Sequence, residues 1–220
     1  MTRFRSSLAA ISLSLILAGC AHSSGAPATV IAQPNIAAAY LPLYGRVHLG
    51  LDPVMGAAVV IAPGIAVTND HNDNMIAPKM VLGYGSLSDL MFFRTARAAA
   101  PQTAPPGMGM AVTAYGQGAK RELRVANGVI CHIAGEPGHS PYFIFAGNAG
   151  PGFSGGPVVD PEGRLIGITF AYVDRPKSRR LIFAYDMQRV MAELRLKKPV
   201  KSGADANGPP PPLGACDRAA

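Results

Sequence analysis

Apolar residues in this chain come in short runs broken by glycine, proline and asparagine. Residues 56–62, Gly-Ala-Ala-Val-Val-Ile-Ala, are continuously apolar and close on Pro63-Gly64, the pattern of a buried strand entering a tight turn. Residues 65–68 form the next strand and lead straight into Asn69-Asp70-His71. Two further runs, 80–84 and 90–94, flank Ser86-Leu87-Ser88-Asp89. A second set covers 110–116, 123–134, 142–146, 157–160, 165–170 and 181–185. Val125, Val129, Cys131 and Ile133 recur along one of these runs as on a half-buried strand. Pro161-Glu162-Gly163-Arg164 reads as a hairpin turn. Residues 35–50 are ambiguous: 36–40 suits a short helix or an extended segment, and 44–51 alternates loosely. After residue 185 the period changes. Met187, Val190, Met191 and Leu194 fall on one face of a helix over 187–196. Asp186 is placed to cap it, and Lys197 and Lys198 suit its negative end. Two groups of short strands and one terminal helix predict an all-β domain over 35–198. The Ala- and Pro-rich stretch 98–108 joins its halves (about 35–97 and 108–198), and closure into barrels would remove exposed strand edges.

The two ends do not share this pattern. Arg3 and Arg5 precede an apolar run at 8–17 that is short for a bilayer span, as in a secretory leader. The leader ends in Leu17-Ala18-Gly19-Cys20, which resembles the lipobox of bacterial lipoproteins. That resemblance implies a signal peptide over 1–19, cleavage before Cys20, and a lipid on its thiol that anchors the protein without spanning the membrane. Residues 20–34, small and polar, read as the lipidated cysteine and a tether. Residues 199–220, with four consecutive prolines at 209–212, read as a disordered tail.

Composition narrows the possibilities. In 220 residues, 49% hydrophobic, a sizeable core can be buried, and 25 Gly with 20 Pro suit many turns. The net charge of +7 is concentrated near the C-terminal helix and fits a solvated face or a membrane surface. No nucleic-acid motif accompanies it. Of the three cysteines, Cys131 and Cys216 have an export compartment that permits a disulfide. A buried free thiol at Cys131 fits equally, and the spacing is not that of a zinc site.

The candidate chemistry centres on Gly152-Phe153-Ser154-Gly155-Gly156-Pro157. A serine hydroxyl is a poor nucleophile until a fixed turn holds it beside a base. This loop resembles the active-site serine loop of trypsin-like (chymotrypsin-fold) peptidases, especially the HtrA-like branch. The order strand, Pro-Gly turn, strand, Thr68-x-x-His71 matches the approach to the histidine in that family. Ser88-Asp89-Leu90 before an apolar strand matches its aspartate. The resemblance implies two six-stranded antiparallel β-barrels with a C-terminal α-helix, and catalytic residues His71, Asp89 and Ser154. It also implies an oxyanion hole from the N–H groups of Gly152 and Ser154. Asn148 would lie at the base of the specificity pocket, with Phe170, Ala171 and Tyr172 as its wall. With no acidic residue at that base, a small or moderate apolar side chain is the expected preference.

The same loop also satisfies the G-x-S-x-G elbow of α/β-hydrolases. That fold needs a histidine after the serine, and the last histidine is His139. His48, His132 and His139 lack the Thr-x-x-His context. Asp70 and Asp73 adjoin His71 too closely in sequence to face its ring. The resemblance thus implies a metal- and cofactor-free serine endopeptidase acting on polypeptides, anchored in the bacterial cell envelope through Cys20 and facing the periplasm. No PDZ domain fits after residue 198. The interval from His71 to Asp89 is short for the family. A second reading is therefore a weakly active or inactive trypsin-fold lipoprotein that binds or scaffolds polypeptides.

Overall fold

The computed structural model describes residues 24–45, 54–135, 142–175, 179–201 and 216. The leader, Cys20 and most of the expected tail lie outside them. The described chain begins with a short strand, β1 (Ala26–Ala28), and a short helix, α1 (Pro34–Ala39). Pro34 opens that helix, where a missing N–H leaves nothing unsatisfied.

The first half then runs β2 (Tyr40–Tyr44), β3 (Met55–Ala62), β4 (Ile65–Thr68), β5 (Val81–Tyr84) and β6 (Met91–Arg94). These pair antiparallel in the order β2-β3-β4-β6-β5. Among the described residues this half is thus a five-stranded sheet rather than the expected six strands. The uninterrupted apolar run 56–61 is buried along its whole length, as its lack of alternation required.

The second half contains β7 (Ala111–Gln117), β8 (Leu123–Ala134), β9 (Tyr142–Gly147), β10 (Pro157–Val159), β11 (Leu165–Val173) and β12 (Arg180–Asp186). They pair in the order β8-β7-β10-β11-β12-β9, and β8 pairs again with β9 to close the six-stranded barrel. One strand serves two neighbours because β8 is long and irregular. Residues 123–129 pair with β7, and 129–134 pair with β9 across a register shift at Ile130/His132. Such a bulge bends a strand and sharpens its twist, as barrel closure needs. Phe143, Phe145, Phe153, Ile166 and Ile182 fill this barrel. A larger cluster joins the first sheet to Tyr115, Leu165, Ile168 and Tyr185 of the second half and to the C-terminal helix, α2 (Met187–Leu196). Asp186 caps that helix, accepting the Arg189 N–H at 2.7 Å.

At the chain ends one expectation needs correction and one open alternative is decided. Residues 24–34 are not a free tether: β1 pairs with β8, Ala26 opposite Val125, at the outer edge of the barrel sheet. In the tail, Cys216 is fully buried and disulfide-bonded to Cys131, 85 positions away in sequence. Small residues hid the first contact in the sequence, and cysteine parity alone left the second undecided.

Candidate active site

β4 ends at Thr68, and residues Asp70–Met75 wind into one tight helical segment that presents His71. β4 and β6 are antiparallel with Thr68 opposite Met91. Residues just after Thr68 therefore lie beside residues just before Met91, which brings His71 to Asp89. His71 Nδ1 and Asp89 Oδ2 are 2.7 Å apart. The other carboxylate oxygen accepts the N–H groups of Asp70 at 2.8 Å and His71 at 3.2 Å. The Asp89 backbone is held as well. Its N–H donates to the Tyr185 hydroxyl, on β12 of the other half, at 3.1 Å, and its carbonyl accepts from Asn69 Nδ2 at 2.8 Å.

The Asp89 side chain is 13% exposed and that of His71 is 47% exposed. The carboxylate is shielded while the ring keeps a face toward solvent. Burial pulls the His71 pKa down, but the hydrogen bond and charge of Asp89, with the charge of Asp70, carry it above its ordinary value. Burial pushes Asp89 up, and hydrogen bonds from His71 and Asp70 hold it below the usual carboxylate range. Asp70 is pushed up to about 7, first by burial and then by its hydrogen bond with Asp89 and the like charge there.

Ser154 sits on the turn between β9 and β10. Its carbonyl accepts the Ala57 N–H of β3 at 2.9 Å and Asn72 Nδ2 at 3.1 Å. Asn72 neighbours His71 and also donates to Thr68 Oγ1 at 2.9 Å. The serine backbone is thus bonded to the segment that carries the imidazole. Gly155 has φ of +79°, and a Cβ there would lie 2.2 Å from Thr68 Oγ1 and 2.3 Å from the Ala57 carbonyl. Only glycine lets the loop seat against β4 in that conformation. Gly152 has φ of +88°, and its Cβ would fall 1.9 Å from the Gln117 carbonyl. Between Gly152 and Ser154, Phe153 inserts its ring into the barrel core, and Thr169 Oγ1 donates to its carbonyl. The N–H groups of Phe153, Gly155 and Gly156 are taken up by neighbouring carbonyls, whereas those of Gly152 and Ser154 make no backbone hydrogen bond among the described residues. N–H donors not already spent on the backbone are what a developing oxyanion requires.

Beside Ser154 lies a cavity of about 10 Å³, the space of roughly one water. Ala149, Gly150 and Phe153 of the serine loop, Phe170, Ala171 and Tyr172 of β11 and the buried Ile182 of β12 line it. Asn148 is not among the lining residues: its side chain is exposed and its carbonyl accepts the Gly25 N–H at 2.8 Å. The lining of this cavity thus includes the expected Phe170, Ala171 and Tyr172, and the buried Ile182 in addition. The sequence reading also missed Tyr185, Asn72, Thr169 and Phe153. Each looks locally like an ordinary strand or loop residue, and only the tertiary pairing aims it at the site.

Residues 52–168 match the trypsin-like peptidase domain family. No curated protein sequence matches significantly. Among solved structures, the active form of the Rv3671c protease from M. tuberculosis is 18% identical with a TM-score of 0.62, and the match covers 83% of this chain and 94% of that one. The HtrA-type protease AlgW with tripeptide is 21% identical with a TM-score of 0.59, over 74% of this chain and 60% of that one. A serine endoprotease from Yersinia pestis is 20% identical with a TM-score of 0.59, over 74% and 64%. The match thus spans less than two thirds of the latter two chains. At these identities the shared property is the fold.

Proposed function

The chain belongs to the trypsin-like peptidase family, and from that premise we propose that it is a serine endopeptidase of the HtrA-like branch, using Ser154, His71 and Asp89. The observation that carries this reading is the His71 Nδ1 to Asp89 Oδ2 contact of 2.7 Å, made while the Ser154 backbone is bonded to the same turn. With Nδ1 held by the carboxylate, Nε2 is the free basic nitrogen. Ser154 Oγ attacks the scissile carbonyl carbon as its proton passes to His71 Nε2. The tetrahedral oxyanion is met by the Gly152 and Ser154 N–H groups. The C–N bond then breaks, the amine leaves with the proton from His71, and water repeats the sequence to release the acid. The small apolar cavity fits an alanine-sized residue before the scissile bond.

The HtrA-type neighbours crystallised with a tripeptide and a decapeptide lend support to a polypeptide substrate. We also place the protein at the cell envelope through a lipid on Cys20, on the strength of the leader alone. Metabolic labelling with a radioactive fatty acid, lost in Cys20→Ala, tests that part. The catalytic part is tested with a fluorophosphonate probe, which reacts only with an activated serine. Labelling of the wild type, absent in Ser154→Ala and His71→Ala, is the expected result. A folded wild type that takes no label would overturn the endopeptidase reading and favour a binding role.

A further inference from the structure

The first described residues hold the serine loop in place. Gly25 donates its N–H to the Asn148 carbonyl at 2.8 Å. Arg180 Nη1 reaches Ser24 Oγ at 2.8 Å and the Ala149 carbonyl at 3.4 Å. Arg124 is buried and holds the segment from below: Nε donates to the Ser24 carbonyl at 2.8 Å and Nη2 to the Gly25 carbonyl at 3.0 Å. Gly25 has φ of +68°, and a Cβ on it would lie 2.7 Å from the Phe153 ring. The segment therefore touches the loop at residues 148 and 153 and abuts Gly150, where a Cβ would lie 2.3 Å from Ser24 Oγ, and Arg180 links Ser24 to the Ala149 carbonyl, all immediately before residue 154. Among the described residues, the Asn148 and Ala149 carbonyls accept hydrogen bonds from Gly25 and Arg180 and from no other group.

We propose that residues 24–28 are a positioning element for the Ser154 loop, with Arg124 as the residue that locks them in place. Docked, the segment fixes 148–153 so that the Gly152 and Ser154 N–H groups point at the reacting carbonyl. Undocked, it frees the Asn148 carbonyl and one face of Phe153 and takes Ser24 away from Arg180, and the oxyanion donors lose their fixed direction. Strand β1 is only three residues long at a sheet edge, so the charged donors of Arg124 supply much of its hold. The catalytic consequence rests on the peptidase reading above; the structural coupling does not.

The test uses the full chain with Arg124→Met, which keeps a long apolar stem but removes both bonds to residues 24 and 25 together with the 3.5 Å contact of Nη1 with Glu122, and Arg124→Lys, which restores one charged donor. Amide hydrogen exchange read by mass spectrometry is the first measurement, and kcat and KM on a small peptide ester are the second. In Arg124→Met, exchange is expected to rise roughly tenfold in both 24–28 and 147–156 while β9 and β12 keep their protection. The kcat falls roughly tenfold or more, as for a misplaced reacting group, with KM within about twofold. The lysine variant lies between. Faster exchange confined to 24–28, with loop exchange and kcat unchanged, would overturn the proposal. If Arg124→Met fails to fold, Ser24→Ala, which deletes only the hydroxyl reached by Arg180, is read by the same two criteria. The exchange result needs no turnover, so an inactive wild type would remove the peptidase reading and still leave the coupling supported or refuted.

Discussion

The sharpest test of the site is Asp89→Asn, because the structure dictates which way the new amide turns. Two backbone N–H groups, from Asp70 at 2.8 Å and His71 at 3.2 Å, point at Asp89 Oδ1. An asparagine must place its carbonyl oxygen there, since turning its NH₂ toward two donors would leave both unpaired. Its NH₂ then faces His71 Nδ1, 2.7 Å from the present Oδ2 position. A donor at that point forces Nδ1 to be the acceptor and moves the ring proton to Nε2, the nitrogen that must take the serine proton. The general base is lost although no atom has left the site. The expected fall in kcat is ~10⁴-fold, about 5.4 kcal/mol at 1.36 kcal/mol per decade. The residual activity also titrates differently. Asp89 is the main group holding the His71 pKa above its ordinary value, so the rising limb of the pH–rate profile moves to lower pH in the variant. The assay is the rate of fluorophosphonate labelling and of ester hydrolysis across pH, with circular dichroism to confirm the fold. A folded variant within about tenfold of the wild type would refute the assignment of Asp89 as the group that sets the imidazole tautomer.

Three further outcomes follow from the same geometry. Asp70 is held protonated up to about pH 7 in the fold, so the folded state binds more protons than the unfolded chain from about pH 4 upward and stability falls as pH rises through that window; Asp70→Asn should abolish this decline in melting temperature, and a slope identical to wild type would count against it. Asp89 has the opposite sign, its pKa being lowered, so its contribution is present above the ordinary carboxylate range and is lost on acidification. Cys216→Ser opens a bridge whose partners are 85 residues apart and should cost about 2–5 kcal/mol in denaturant unfolding; an unchanged midpoint would mean that the bridge does not form in the isolated protein. Ile182→Ala should widen the cavity beside Ser154 and move the preferred residue before the scissile bond from alanine toward leucine by roughly tenfold in relative kcat/KM, at about 2–5 kcal/mol of stability; an unaltered ranking in a peptide library would show that another group limits the pocket.

The sequence carried the parts of this fold that depend on local physics. The apolar run at 56–62, the Pro63-Gly64 turn, the hairpin at 161–164 and the Asp186 cap are each decided by their own few residues. The serine loop was legible for the same reason, because Gly152 and Gly155 are needed by the backbone they occupy. Contacts between distant segments were not legible. Tyr185 meets Asp89 across 96 positions, and Arg180 meets Ser24 across 156. Residues 24–28 bury little apolar surface of their own and dock through carbonyls, an N–H and a glycine-sized gap. Hydrophobic patterning has no term for such contacts, so the segment read as a tether. Asn148 likewise enters this contact through its backbone, its carbonyl bonded to Gly25.

The short stretch between His71 and Asp89 is where sequence distance and spatial distance part most clearly. Counted along the chain, it looks too small to return an aspartate to the histidine. Counted in the sheet, the requirement is much lighter. The pairing of Thr68 with Met91 already sets the two strand ends side by side, and the intervening chain has only to leave β4, form β5 and come back as β6. It does so with a tight helical segment at Asp70–Met75, another at Pro78–Met80 and a four-residue β5. Economy comes from replacing loops with single turns, and Gly83, at φ of +149° with no room for a side chain beside the Lys198 carbonyl, allows the close packing this needs. Strand register therefore determines whether the carboxylate reaches the imidazole, and loop length does not. A short interval is compatible with a working pair wherever the register across β4 and β6 is kept, so it carries no weight for the binding-only reading over the enzymatic one.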